Sequence, residues 1–208
     1  MRIRPTLLVA AALALVQAVG QAAADPIAIE RTGPYIHRGS GFVFPDGTGK
    51  FRRTSIIEYD PEATDVSAGY DRTIPDGAVV ATIYVYPAPV AEAGDPASRR
   101  RQEDGFCREH FEGIKDSISK RYRPVMLTEE GAVASPFPGH RRPGLRAAFT
   151  FEEDFRGKRR PLRSEARLFC YVGGPWLIAY RFSAPADHDL GPDIEALTAA
   201  LRWPDQGS

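Results

Sequence analysis

LRSEARLFCYVGGPWLIAYRF, residues 162–182, is the stretch whose reading decides the fold. Two runs rich in apolar, aromatic and β-branched residues, 162–172 and 176–182, flank Gly173-Gly174-Pro175. A turn-forming tripeptide between two such runs predicts an antiparallel hairpin. Alternation assigns the faces. Leu168, Cys170 and Val172 share one face of the first strand. In the second, Trp176, Ile178, Tyr180 and Phe182 share one face, and Leu177, Ala179 and Arg181 the other. Upstream, residues 79–86 read VVATIYVY. Val79, Ala81, Ile83 and Val85 alternate with Val80, Thr82, Tyr84 and Tyr86. Both faces are largely apolar, which predicts a central strand covered on two sides.

Shorter strands are expected at 51–59, 66–70 and 145–151. Residues 125–134 read as a strand interrupted at Glu129-Glu130-Gly131, and 154–160 as a turn. A helix capped by Asp95 or Ser98 is expected to run to Pro124. Phe106, Cys107, His110, Phe111, Ile114, Ile118 and Tyr122 recur on one face of it. Gly113, in its middle, costs roughly 1 kcal/mol relative to Ala. A last helix begins near Asp189 to Pro192, carries Ile194, Leu197, Leu201 and Ala200 as its inward stripe and closes at Trp203-Pro204. Strands, helix, strands, helix, with hairpins dominating, predict a single α+β domain: an antiparallel sheet covered by helices as a sandwich.

The N-terminus reads as an address. Arg2 and Arg4 precede an apolar run from Leu7, and Ala22-Ala23-Ala24 supplies small residues for cleavage before Asp25. The apolar run is too short for a permanent membrane anchor, so stable membrane insertion is not expected. The organisation expected is a cleaved signal peptide (1–24), an extended arm (25–40), the α+β domain (41–204) and a tail (205–208). The product is expected in the periplasm or outside the cell. The whole chain balances 27 basic against 27 acidic residues. Cleavage removes Arg2 and Arg4 and no acid, leaving a slight acidic excess, which argues against nucleic acid as a partner. The basic residues are mostly arginine, as a GC-rich bacterial coding sequence with an Ala-rich leader would produce, so their excess is not by itself a binding signature. An oxidising compartment and just two cysteines favour a Cys107–Cys170 disulfide over two buried thiols.

The 79–86 strand leads into a long helix, and Trp176-Leu-Ile-Ala-Tyr-Arg-Phe182 into a closing helix that ends Leu201-Arg-Trp-Pro204. Over residues 40–204 this layout resembles the PsbP-like fold of extrinsic photosystem subunits and bacterial envelope proteins. The resemblance implies a protein-binding or accessory role. It supplies no catalytic or cofactor-binding residues.

Candidate chemistry is sparse. His37, His110, His140 and His188 show no paired metal spacing, so no metal or cofactor is assigned. His110 is expected as a packed residue at the core edge. Asp187-His188-Asp189 is expected to serve the following helix N-terminus. Ser40 lacks the G-x-S-x-G context, and nothing in the spacing aims His37 at it. Glu129-Glu130 and Glu152-Glu153-Asp154 read as solvated carboxylates, and Arg99 to Arg101 and Lys158-Arg159-Arg160 as solvated cations. The recognition surface expected is the proline-stiffened loop 135–144, with Phe137, His140, Arg141 and Arg142. No catalytic residue is assigned. The leading function is an exported, non-catalytic binding or accessory protein of the bacterial envelope, with a protein or envelope component as partner. The alternatives are an envelope hydrolase using His and carboxylate groups from separate loops, and a neutralising partner of a periplasmic toxin.

Overall fold

In a computed structural model, which describes residues 25–92 and 94–201, the decisive hairpin forms over its full length. The expected signal peptide, the expected helix end at Trp203-Pro204 and the expected tail lie outside the described residues. In chain order the elements are β1 (Ile27–Ala28), β2 (Tyr35–Ile36), β3 (Val43–Phe44), β4 (Gly47–Thr48), β5 (Phe51–Glu58), β6 (Val66–Ile74), β7 (Gly77–Pro87), α1 (Pro96–Arg121), β8 (Val125–Val133), β9 (Gly144–Phe155), β10 (Lys158–Cys170), β11 (Trp176–Pro185) and α2 (Gly191–Ala200). β10 and β11 pair from Leu162↔Pro185 to Cys170↔Leu177. The main sheet is antiparallel in the order β1-β5-β6-β7-β11-β10-β9-β8, with β4 added on β5. β2 and β3 form a separate two-stranded ribbon.

The expected two-sided burial of β7 is present. Val79, Ala81, Ile83 and Val85 join Ile178, Tyr180 and Phe182 of β11 beneath α2, whose Ile194 and Leu197 close that core. On the opposite face Tyr86, Leu177 and Ala179 pack with Leu168, Ala166 and Phe149 under Phe111, Ile114 and Ile118 of α1. One large antiparallel sheet is therefore packed against two helices, one on each face.

Several expectations are corrected. Leu168 and Cys170 face α1, but Val172 joins the α2 side. Tyr171 has φ 58°, which breaks the alternation after β10 and turns the next side chain over. β8 runs unbroken through Glu129-Glu130-Gly131; its irregularity is a bulge between Leu127 and Glu129. The expected turn at 154–160 shrinks to Arg156-Gly157, because β9 and β10 pair up to Phe155↔Lys158. The arm 25–40 is not a detached extension. β1 pairs with β5, and Tyr35 and His37 are buried in the α2-side core region.

α1 starts where expected. Asp95 accepts the amides of Ala97 and Ser98 at 3.0 Å each, with Pro96 in the first turn. The apolar stripe reaches the sheet, and Cys107 bonds to Cys170 at the end of β10. That disulfide closes a loop with a sequence separation of 63 residues. Gly113 has nothing within 4 Å of an added Cβ and is exposed, so close packing does not require it.

Two stability outcomes follow from these contacts. The Cys107→Ala/Cys170→Ala variant is expected to lose about 3–5 kcal/mol in urea denaturation, from the restored freedom of the unfolded chain. Gly113→Ala is expected to gain about 0.5–1 kcal/mol on the same assay, because alanine costs less entropy to place in a helix.

Candidate functional site on the open half of the sheet

All four histidines are engaged in local structure. His37 is fully buried, with Nδ1 2.7 Å from Ser40 Oγ and Nε2 3.0 Å from the Thr64 carbonyl. A carbonyl can only accept, so Nε2 carries the proton and Nδ1 accepts from the Ser40 hydroxyl. Nothing in the residue spacing predicts this contact. The tight loop between β2 and β3 makes it, with His37 N–H donating to the Phe42 carbonyl. Ser40 Oγ also accepts the Phe42 amide at 3.1 Å. Trp176 stands edge-on to the His37 ring, and its ring carbons fill the space where a Gly39 side chain would lie. The pair is a loop lock rather than an exposed nucleophile and base.

His140 repeats the arrangement: Nδ1 lies 2.9 Å from Ser135 Oγ and Nε2 3.1 Å from the Cys170 carbonyl. Burial lowers the proton affinity of both rings. His110 is packed at the core edge as expected, stacked on Phe106 and 2.8 Å from the Tyr86 hydroxyl. His188 meets Asp193, which is buried in the first turn of α2 and also paired with Arg72. Asp189 accepts the Gly191 amide just ahead of that helix.

The loop 135–144 does not present the expected recognition surface. Phe137 is 4% exposed and packs edge-on against Phe169 in the core. His140 ties the loop to the end of β10. Arg142 is held by Glu103 at 2.6 Å and Asp104 at 3.3 Å, with its guanidinium over Tyr171. Of the four residues only Arg141 is exposed. Phe137, His140 and Arg142 stitch the loop to β10 and α1, so the loop is scaffold.

Polar side chains gather instead on the α1 face of the sheet, beyond the part that α1 covers. Register places them in rows. Gly69, Thr82 and Arg181 lie side by side, followed by Ala166 and Ala147 under α1. The next row reads Ser67, Tyr84, Ala179 and Leu168. The row on the other side reads Asp71, Val80, Ser183 and Ser164. The floor is thus polar at Ser67, Asp71, Thr82 and Tyr84 over β6 and β7 and apolar at Ala166, Ala147 and Leu168 under α1, with Arg181 near the boundary. Thr82, Tyr84, Ser183 and Arg181 are all partly exposed. Tyr59 leans over the floor to Ser67, with hydroxyl oxygens 2.9 Å apart. Tyr122, just past the end of α1, stacks on Phe151 and lies beneath the Arg181 guanidinium at 4.8 Å. Arg156, from the β9–β10 turn, pairs with Asp71.

The electrostatics of this floor are incomplete. Asp65, at its upper end, titrates at about 6 because burial and then the neighbouring Asp60 penalise its ionised form. Its field reaches Tyr59 and Tyr86. Burial pushes Tyr84 up to about 12, against the opposing pull of Arg181. Sequence reasoning placed Arg181 on a face with Leu177 and Ala179. A cation on an otherwise apolar strand face was the available signal for this site. Among the described residues no group of three or more His, Cys, Asp or Glu side chains fits a metal. No helix there is long and apolar enough to cross a membrane. No family model matches the chain, and no curated protein is significantly similar to it.

Asp65→Asn is expected to stabilise the protein at neutral pH by about 1–2 kcal/mol, since it removes a carboxylate that folding holds in an unfavourable ionised state. The raised folded-state value means that Asp65 favours the fold below about pH 4 and loses that contribution as pH rises to about 6. The difference between variant and parent, measured by urea denaturation, should therefore vanish near pH 4 and be full by pH 7. The buried histidines contribute equally to both proteins.

Proposed function

We propose that this chain is an exported, non-catalytic binding protein of the bacterial envelope, and that its ligand lies on the open polar floor between β6, β7 and β11. One contrast carries the reading. His37 with Ser40 and His140 with Ser135 are occupied in loop locks, whereas the floor leaves a carboxylate and a guanidinium among tyrosine and serine hydroxyls, partly open to solvent. Binding sites characteristically combine a few converging polar groups with aromatic surface, and perturbed titration marks such places. The leader-like N-terminus and the Cys107–Cys170 disulfide support an oxidising, extracytoplasmic location. The resemblance of the sequence layout to the PsbP-like fold supports an accessory role. The expected ligand is an envelope component small enough to sit beside α1.

The test is thermal denaturation of the oxidised protein, starting at Asp25, against water-soluble fractions of envelope extract. Wild type should show a saturable rise in Tm with at least one fraction. Thr82→Val/Tyr84→Phe, which keeps volume and removes two floor hydroxyls, should lose most of that rise. An equal response in the variant would place the site elsewhere, and no response in any fraction would end the binding reading. Ester hydrolysis abolished by Ser40→Ala at unchanged Tm would replace it with the hydrolase.

A further inference from the structure

Arg181 differs from the other partly buried arginines. Among the described residues each of those donates to a carboxylate or to a backbone carbonyl. Arg142 has Glu103 and Asp104, Arg146 has Glu129 and Glu165, and Arg163 has the His188 carbonyl. Arg53, Arg72, Arg160 and Arg167 are held in the same two ways. Among the described residues Arg181 has no carboxylate within ion-pair distance and no carbonyl. Its Nε reaches only Ser164 Oγ, at 3.4 Å, and its Nη2 is buried with no hydrogen-bond partner.

A guanidinium withdrawn from water without a counter-ion is unfavourable, and its donors form a planar fork that fits a carboxylate or phosphate. The surroundings suit such a group. Tyr122 holds the guanidinium plane from α1, Thr82 and Ala166 flank it on the neighbouring strands, and Ser183 and Ser164 lie one row away. A cavity of about 30 Å³, lined by Arg181, Tyr84, Ile118 and Ala179 among others, adjoins it beneath α1. That volume admits an atom or two and its lining is almost wholly apolar, so the charged group would lie outside it, on the floor.

Resting on the floor reading above, we infer that the ligand is an anion, and that Arg181 receives its carboxylate or phosphate group. Tyr84 and Thr82 contact the adjoining part of the ligand. Arg181 supplies the missing charge complement, so the anion neutralises a cation that the fold itself leaves unpaired.

The experiment titrates sodium phosphate, sodium acetate and phosphatidylglycerol vesicles into isotope-labelled oxidised protein. It follows the Arg181 Nε–H, Tyr84 and Tyr122 signals, with sodium chloride at matched ionic strength as control. A saturable shift with at least one probe is expected. Arg181→Gln should weaken it at least tenfold, Arg181→Lys should retain part of it, and Arg141→Gln, at an exposed arginine, should leave it unchanged. Response to acetate or phosphate alone identifies a free anion, and response to vesicles alone a lipid headgroup; either supports the inference. No Arg181-dependent shift with any probe overturns it. An envelope fraction that stabilises Arg181→Gln as fully as wild type also overturns it, yet leaves the floor reading standing. That reading falls separately, if Thr82→Val/Tyr84→Phe binds the fraction undiminished.

Discussion

Burial on both faces of β7, β11 and β10 is the constraint from which the remaining architecture follows. A strand apolar on one face needs one covering layer; these need two. Val85, Ile178 and Phe182 demand a layer on one side, and Tyr86, Leu177 and Leu168 a layer on the other. The chain supplies α1 for one and α2 with the β2–β3 ribbon for the other. This explains why the N-terminal arm is docked and not free. Phe42, Phe44 and Tyr35 cover area that α2, at ten residues, is too short to cover. The disulfide then fixes α1 to the end of β10, at the point where the sheet's alternation breaks.

The same constraint sets where the molecule is open. α1 lies over β9, β10 and β11 and leaves β5 and β6 without a helix on that face. The sequence follows this boundary: the rows turn from Ala166 and Leu168 to Thr82, Ser67 and Asp71 as they leave the helix. An antiparallel sheet with one solvated face ordinarily shows such polarity along its whole length. Here it applies to half of one face, and the partly buried cation sits at the transition.

How much of this was legible in the sequence depended on the range of the interaction. The hairpin, the faces of β7 and β11, the Asp95 cap and the stripe of α1 are set by alternation, helical period and local hydrogen bonding, all of which are written in short windows. Val172 was misplaced because a single residue at positive φ, Tyr171, overrides alternation without a glycine to announce it. The 135–144 loop was misread for a related reason. Phe, His, Arg and Pro in a loop serve equally well to anchor a partner or to anchor the loop itself. The choice depends on whether Phe169, Cys170 and Glu103 lie within reach, and they are distant in sequence.

Arg181 reverses that lesson. Its face assignment beside Leu177 and Ala179 was readable from alternation alone, but its significance was not. A buried arginine in a strand is unremarkable when a carboxylate opposes it, as Glu165 opposes Arg146 and Arg167 across and along the neighbouring strands. Whether a carboxylate opposes Arg181 depends on which residues register brings beside it, and those are Thr82 and Ala166. Neither carries charge. Asp71 is one row away, and Arg156 already neutralises it. The fold thus pairs Asp71 with a different arginine and, among the described residues, leaves Arg181 without a carboxylate. Its charge is consequently available to whatever anion can reach the floor.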